Sequence, residues 1–127
     1  MDYRLEVIGV PVSDVDVARA FYVDQVGFVL DHDVSMIPGV RVVQLTPPGS
    51  ACSVVIGEGM PLGAPGSTRG LQLVVEDIDA ARAELAERGV EITEIQQMGP
   101  VGSVGSRFAF FTDPVGNGWS LQEIKRG

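Results

Sequence analysis

Apolar and polar positions follow one series of periods in the first half of the chain, and the same series returns in the second. From Glu6 to Val12 an apolar, β-branched run ending in Pro11-Val12-Ser13 predicts a strand that delivers the chain to a helix. Ser13 with Asp16 three residues later resembles a capping box, and Val17, Ala18, Phe21 and Tyr22 form an apolar stripe at helical spacing that Gly27 brings to an end. Phe28 to Val34, Val40 to Thr46 and Cys52 to Ile56 then predict three strands, separated by Ile37-Pro38-Gly39 and by Pro47-Pro48-Gly49-Ser50. From Gly70 the order restarts: a strand over Leu71 to Val75, then a helix from Ile78 to Glu87, capped by Asp77 or Glu76 and closed by Gly89. Ile78, Ala81 and Leu85 supply its buried stripe, and strands follow near Val90 to Gln96, Phe108 to Thr112 and Trp119 to Ile124.

The periodicity is matched by the letters themselves. Val12-Ser-Asp-Val-Asp-Val-Ala-Arg-Ala20 returns as Val75-Glu-Asp-Ile-Asp-Ala-Ala-Arg-Ala83, 63 positions later, and Thr46-Pro-Pro-Gly49 returns as Thr112-Asp-Pro-Val-Gly116. This predicts an α+β chain of two tandem β-α-β-β-β modules in a single domain spanning 1–127. The first module covers about 1–57, a glycine- and proline-rich connector 58–69, and the second module about 70–127. Gly57-x-Gly59 lacks the following helix and further glycines of a phosphate loop and reads as connector. The glycine-rich stretch Met98 to Ser106 is either an ordinary hairpin connection or a lid.

Composition narrows the functional classes. A net charge of -8 disfavours sequence-independent binding to nucleic acid or anionic membrane, both of which need a basic face, and suits a cationic or neutral small ligand. Cys52 is the sole cysteine, so no intrachain disulfide is expected. No signal-peptide pattern or membrane-length apolar run occurs, and a cytoplasmic protein is expected.

The paired modules, the Pro11-Val-Ser-Asp14 start, the Val74-Val-Glu-Asp-Ile-Asp79 restart and above all Asp113-Pro-Val-Gly-Asn117 resemble the vicinal oxygen chelate superfamily of glyoxalases, bleomycin-resistance proteins and extradiol dioxygenases. The resemblance implies a curved eight-stranded mixed sheet around a cavity, with the helices outside. In metal-dependent members it also implies ligands at Val7 (normally His or Gln), Gly70 (normally His) and Ser120 (normally Glu), with Ser53 as the repeat counterpart of Ser120. None of these four is a credible ligand, because such sites use imidazole and carboxylate donors. His32 is the only histidine, so no two-histidine site can form within one protomer. Glu6 and Glu123 each lie one residue away from an expected position, which on a strand turns the side chain to the opposite face. No metal and no cofactor are expected.

Strand parity then names the cavity lining. If Val7, Gly70, Ser53 and Ser120 face inward, so do Gly9, Gln72, Val55 and Gln122, two residues along each strand, with Gln44 and Phe110 on the neighbouring strands and Val42 and Phe108 sharing their face. The candidate ligand-binding residues are therefore Gln44, Ser53, Gln72, Phe108, Phe110, Ser120 and Gln122, an apolar and aromatic wall with a few amides and hydroxyls. Plain core packing is the competing role for the phenylalanines, and a cross-strand amide pair for Gln72 and Gln122. Trp119 should point away from the cavity, and Cys52, out of phase with it, reads as a buried structural thiol. Ser53 and Ser120 have no evident base, Tyr22 reads as core, and Glu6 and Asp33 remain as acid-base candidates.

Two functions follow. One is a metal-free homodimer that holds an antibiotic or metabolite in the cavity unchanged, like the drug-sequestering members of the superfamily. The other is a metal-independent lyase or isomerase of glyoxalase type. A domain with no small ligand is a third reading, since fold alone does not dictate function.

Overall fold

The computed structural model describes residues 1–126. The first module runs β1 (Val7–Gly9), α1 (Val15–Ala20), β2 (Val29–Ile37), β3 (Val40–Thr46) and β4 (Ser53–Glu58). The second runs β5 (Leu71–Val75), α2 (Ile78–Glu87), β6 (Gln96–Gln97), β7 (Arg107–Thr112) and β8 (Gly118–Glu123). Each module forms one mixed four-stranded sheet, in the order β1-β4-β3-β2 and β5-β8-β7-β6, with the first and last strands of each module parallel. The α+β plan and the tandem repeat are as the sequence predicts; the eight strands hydrogen-bond as two sheets of four.

Several boundaries differ from the sequence reading for physical reasons. Asp14, not Ser13, caps α1: its backbone is extended and its carboxylate accepts from the Val17 N–H at 3.1 Å. Val17 is consequently exposed, and Val15, Ala18, Phe21 and Tyr22 make the buried stripe. Beyond Ala20 the helix widens into a π-helical segment, Phe21–Val26, which lets the consecutive Phe21 and Tyr22 both be buried. Gly27 ends it at φ 93°, a left-handed conformation that favours glycine, and both Gly27 and Phe28 donate their N–H groups to the Tyr22 carbonyl. Asp77 caps α2 through the Ala80 N–H. The strand expected over Val90 to Gln96 shrinks to a single bridge, Ile92 to Phe111, and the two residues of β6.

One face of each sheet supplies the core. Val43, Leu45, Val54 and Ile56 from the first sheet and Ala109, Phe111, Trp119 and Leu121 from the second belong to one buried cluster, with Phe21, Tyr22 and Phe28 among them. The Tyr22 ring stacks on Phe28, with centroids 5.5 Å apart, and meets Trp119 edge-on at 5.7 Å. Trp119 thus points away from the opposite face of its sheet, as expected. Both sheets turn one face into this cluster, and each is left with an outer face.

Candidate ligand-binding site

The outer face of the second sheet is set by its register. Gln72 pairs with Ser120, Phe110 with Ser120 on the other side, and Phe108 with Gln122, so these side chains share a face. Phe108 and Phe110 lie half-buried with nearly parallel rings, 6.0 Å between centroids and 8° between planes. They floor a cavity of about 590 Å³, bordered by Gln72 and Ser120, by Met98 at the start of the glycine-rich hairpin, and by Glu91, Thr93 and Arg69. Ser120 is buried, whereas Gln72 is exposed. Gln122 donates instead to the Gly105 carbonyl at 3.1 Å, tying the glycine-rich hairpin to β8. The suggested amide pair is thus replaced by two different environments: Gln72 opens to solvent on the edge strand, and Gln122 holds a loop.

The outer face of the first sheet carries Val7, Ser53, Gln44 and Val55. The structure does not bring Gln44 and Ser53 to the 590 Å³ cavity; within one chain they occupy a separate face. A register irregularity between Leu30 and His32 frees Asp31 from strict alternation. Asp31 Oδ2 accepts from Thr46 Oγ1 and from Gln44 Nε2, at 3.3 Å for the amide, and Thr46 Oγ1 lies 2.7 Å from Ser53 Oγ. Asp31 and Thr46 are not among the candidate site residues that the sequence names. The sequence signal available was a strand with two acids two residues apart beside an exposed imidazole.

Asp33 belongs to the other side of that strand. It accepts from Arg41 Nε and Nη2 at 2.9 and 2.7 Å and from Arg19 Nη1 at 2.6 Å, while Arg41 also reaches Asp16 at 3.0 Å. The Arg41 hydrogen bonds, reinforced by Arg19 and opposed by partial desolvation, hold its carboxyl down at about 2. Asp33 is therefore a structural anion rather than an acid-base candidate. Glu123 also has a structural role: Oε2 accepts from the Ile78 N–H at the start of α2, and Oε1 accepts from Arg107 at 3.3 Å. Cys52 is half-buried rather than enclosed, its thiol 3.7 Å from the Ser53 carbonyl.

The positions at which the resemblance described above implies metal ligands hold no imidazole or carboxylate. Gly9 pairs with Val55 and Gln44 with Val55, as Gln72 and Phe110 pair with Ser120, so the counterpart of Ser120 is Val55 rather than Ser53. Neither set of residues, Val7, Val55 or Ser53, Gly70 or Gln72, and Ser120, contains an imidazole or carboxylate, and a first-row metal does not fit them. Among the described residues, the group of acids close enough to share an ion is Asp77, Asp79 and Glu123 at the start of α2, where Arg107 already bonds both Asp79 and Glu123.

The Asp113-Pro-Val-Gly-Asn117 motif lies outside both faces. Asp113 Oδ1 accepts from the N–H groups of Val115, Gly116 and Asn117, and Oδ2 from Tyr22 Oη at 2.7 Å and Asn117 Nδ2 at 2.7 Å. Asn117 also donates to the Pro11 carbonyl and accepts from the Thr68 N–H, and Trp119 Nε1 donates to Tyr22 Oη at 2.9 Å. Burial first, and then the Asp113 carboxylate, raises the Tyr22 phenol well above its ordinary value, so it remains a donor.

With this geometry in place, comparison with known proteins is decisive at the family level. The sequence profile of the Glyoxalase/Bleomycin resistance protein/Dioxygenase superfamily matches residues 4–121. The chain belongs to that superfamily. Among solved structures similar to it is TnmS3, an antibiotic binding protein from Streptomyces sp. CB03234, at 37% identity over 98% of each chain with a TM-score of 0.81. A glyoxalase/bleomycin resistance protein from the same organism is 38% identical over 94% of this chain and 100% of that one, with a TM-score of 0.78. A superfamily member from Sphaerobacter thermophilus DSM 20745 is 35% identical over 96% and 98%, with a TM-score of 0.80. No curated protein matches the chain. No helix among the described residues of this glyoxalase-superfamily chain is long and apolar enough to cross a membrane.

Proposed function

We propose that the chain is a metal-free binding protein that holds a small organic molecule, an antibiotic or metabolite, without converting it. The observation that carries this reading is the half-exposed, parallel Phe108–Phe110 pair flooring a cavity of about 590 Å³ with Gln72 and Ser120 at its wall. Apolar flat surface with a few polar groups is the usual make-up of a site for an uncharged or weakly polar organic ligand. The 37% identity to a protein described as antibiotic binding supports it. Catalysis has less to draw on, because Asp33 is held by two arginines and Glu6 is exposed beside β1.

The same reading makes the protein a cytoplasmic homodimer. Val7, Val29, Val34 and Ile37 are 52%, 54%, 40% and 60% exposed on or beside the first sheet's outer face, apolar surface that a second copy can cover. A second copy that sets its outer face against this one closes a cup, in which the first module of one chain faces the second module of the other. This arrangement reunites Gln44 and Ser53 with Gln72, Phe108, Phe110 and Ser120.

Native mass spectrometry of the purified protein, followed by chromatography of the released small molecule, tests the function. The expected result is a bound organic compound, displaced in Phe108→Ala and recovered with unchanged mass after prolonged incubation. A product of new mass or configuration that forms in the presence of a chelator would replace binding with lyase or isomerase chemistry.

A further inference from the structure

The two outer faces are chemically unlike, and the polar one has a fixed hydrogen-bond direction. A carboxylate only accepts, so the contact between Thr46 Oγ1 and Asp31 Oδ2 uses the single hydrogen of Thr46. Thr46 must then accept in its 2.7 Å contact with Ser53, which uses the hydrogen of Ser53 in turn. The relay Ser53 to Thr46 to Asp31 therefore leaves lone pairs, and no hydrogens, toward the outer face. Gln44 donates one amide hydrogen to the same carboxylate oxygen at 3.3 Å, which leaves its other amide hydrogen and its carbonyl oxygen outside the relay.

Charge sharpens the point. Asp33, two residues along, is met by Arg19 and Arg41, whereas Asp31 receives only a hydroxyl and an amide and has no cationic partner among the described residues. His32, which pairs with Gln44, is the adjoining titratable side chain. An exposed carboxylate beside a buried serine left as an acceptor, bordered by the exposed Val7, Val29 and Val34, makes a surface that favours a donor and disfavours an acceptor.

We propose that the outer face of the first sheet, through Asp31 and Ser53, is the subsite for a hydrogen-bond-donating head group, a protonated amine in preference to a hydroxyl, and that it rejects carboxylates. This rests on the binding reading above, including its pairing of two copies, and adds to it the chemical class of ligand: an aromatic body for Phe108 and Phe110 of one copy with an amine for Asp31 of the other. Thr46 is a positioning residue that directs the relay.

Three probes with one ring system test it: 1-naphthylmethylamine, 1-naphthalenemethanol and 1-naphthoate, titrated calorimetrically into the intact protein. The amine should bind most tightly and the carboxylate least. Asp31→Asn should weaken the amine about tenfold, the scale of losing a hydrogen bond to a charged group, and change the alcohol little. Ser53→Ala should weaken the amine and the alcohol together, beyond any loss of folded fraction, which the melting temperature of the same variant measures. Phe108→Ala should weaken all three equally. If the carboxylate binds as well as the amine, or if Asp31→Asn leaves the amine unchanged while Phe108→Ala still weakens every probe, the donor subsite is wrong and the aromatic cavity stands. Failure of all three probes to bind the unaltered protein overturns both.

Discussion

Tyr22 and Asp113, 91 residues apart, meet through a 2.7 Å hydrogen bond in which the phenol of the first module donates to the carboxylate of the second. Around that bond the Asn117 side chain reaches the Pro11 carbonyl, and the Trp119 indole donates to the Tyr22 oxygen. The contact joins both modules and, through the Thr68 N–H on Asn117, the connector at one buried point, and Asp113 and Asn117 of the Asp113-Pro-Val-Gly-Asn117 motif are its hub.

Tyr22→Phe keeps the ring packing and removes the shared oxygen. It leaves the buried Trp119 N–H without its acceptor and Asp113 without one of its donors, so it should destabilise the fold by about 1 to 3 kcal/mol. Urea unfolding followed by Trp119 fluorescence measures this; a loss below about 0.5 kcal/mol would show that the bond is not a principal tie between the modules.

Gly66→Ala tests the connector. Gly66 has φ +78°, and an added Cβ would lie 2.2 Å from the Val115 carbonyl oxygen, next to the Asp113 turn. Backbone would have to move on one side or the other, at a cost above about 1 kcal/mol. Gly49, also at positive φ but with open space around it, separates strain from crowding: Gly49→Ala should cost less in the same denaturation experiment.

Asp33 makes a pH-dependent contribution. Its carboxyl is lowered to about 2 in the fold, so the unfolded chain takes up a proton first as the pH falls. The stabilisation is fully present above the unfolded value near 4 and fades as the pH drops toward 2. Asp33→Asn should reduce stability at pH 7 by on the order of 1 kcal/mol, allowing for solvent screening, and flatten the dependence between pH 4 and 2. Parallel slopes for the two proteins over that window would contradict the assignment.

Light scattering at micromolar concentration should give twice the 13.5 kDa chain mass. Val7→Asp, which places a charge on the outer face of β1, should shift the population to monomer with little change in far-UV circular dichroism. A monomeric wild-type protein would remove the second copy from the proposed cup.

Much of this architecture was legible because period and repeat agreed. The limits of β3, β5 and α2 coincide with the sequence reading, since each is a clean alternation or a capped stripe with glycine or proline beside it. The widening at Phe21–Val26 was not legible, because a π-helical insertion shifts the apolar stripe by one residue and two adjacent aromatics satisfy either geometry. Asp31 and Asp33 show the same limit on a strand. Their two-residue spacing predicts one shared face, and the irregularity at Leu30–His32 sends them to opposite faces, one to neutral donors and the other to two arginines. The cavity residues of β7 and β8 followed from parity. That Gln44 and Ser53 sit on a separate face could not follow, since nothing in local pattern says how the two sheets turn relative to each other.

The shared core also bears on the life of the newly folded chain. Ordinary two-sheet proteins put their apolar faces inside and their soluble faces out; here each sheet also carries valine on its outer face, so a newly made chain has a sticky exterior as soon as it is folded. The net charge of -8 then acts as a guard against indiscriminate clumping, because long-range repulsion slows random encounters while a well-fitted contact overcomes it at close range. Neutralising surface acids should therefore shorten the shelf life of the protein before it harms any site, with precipitation worst in dilute salt near the pI of 4.4.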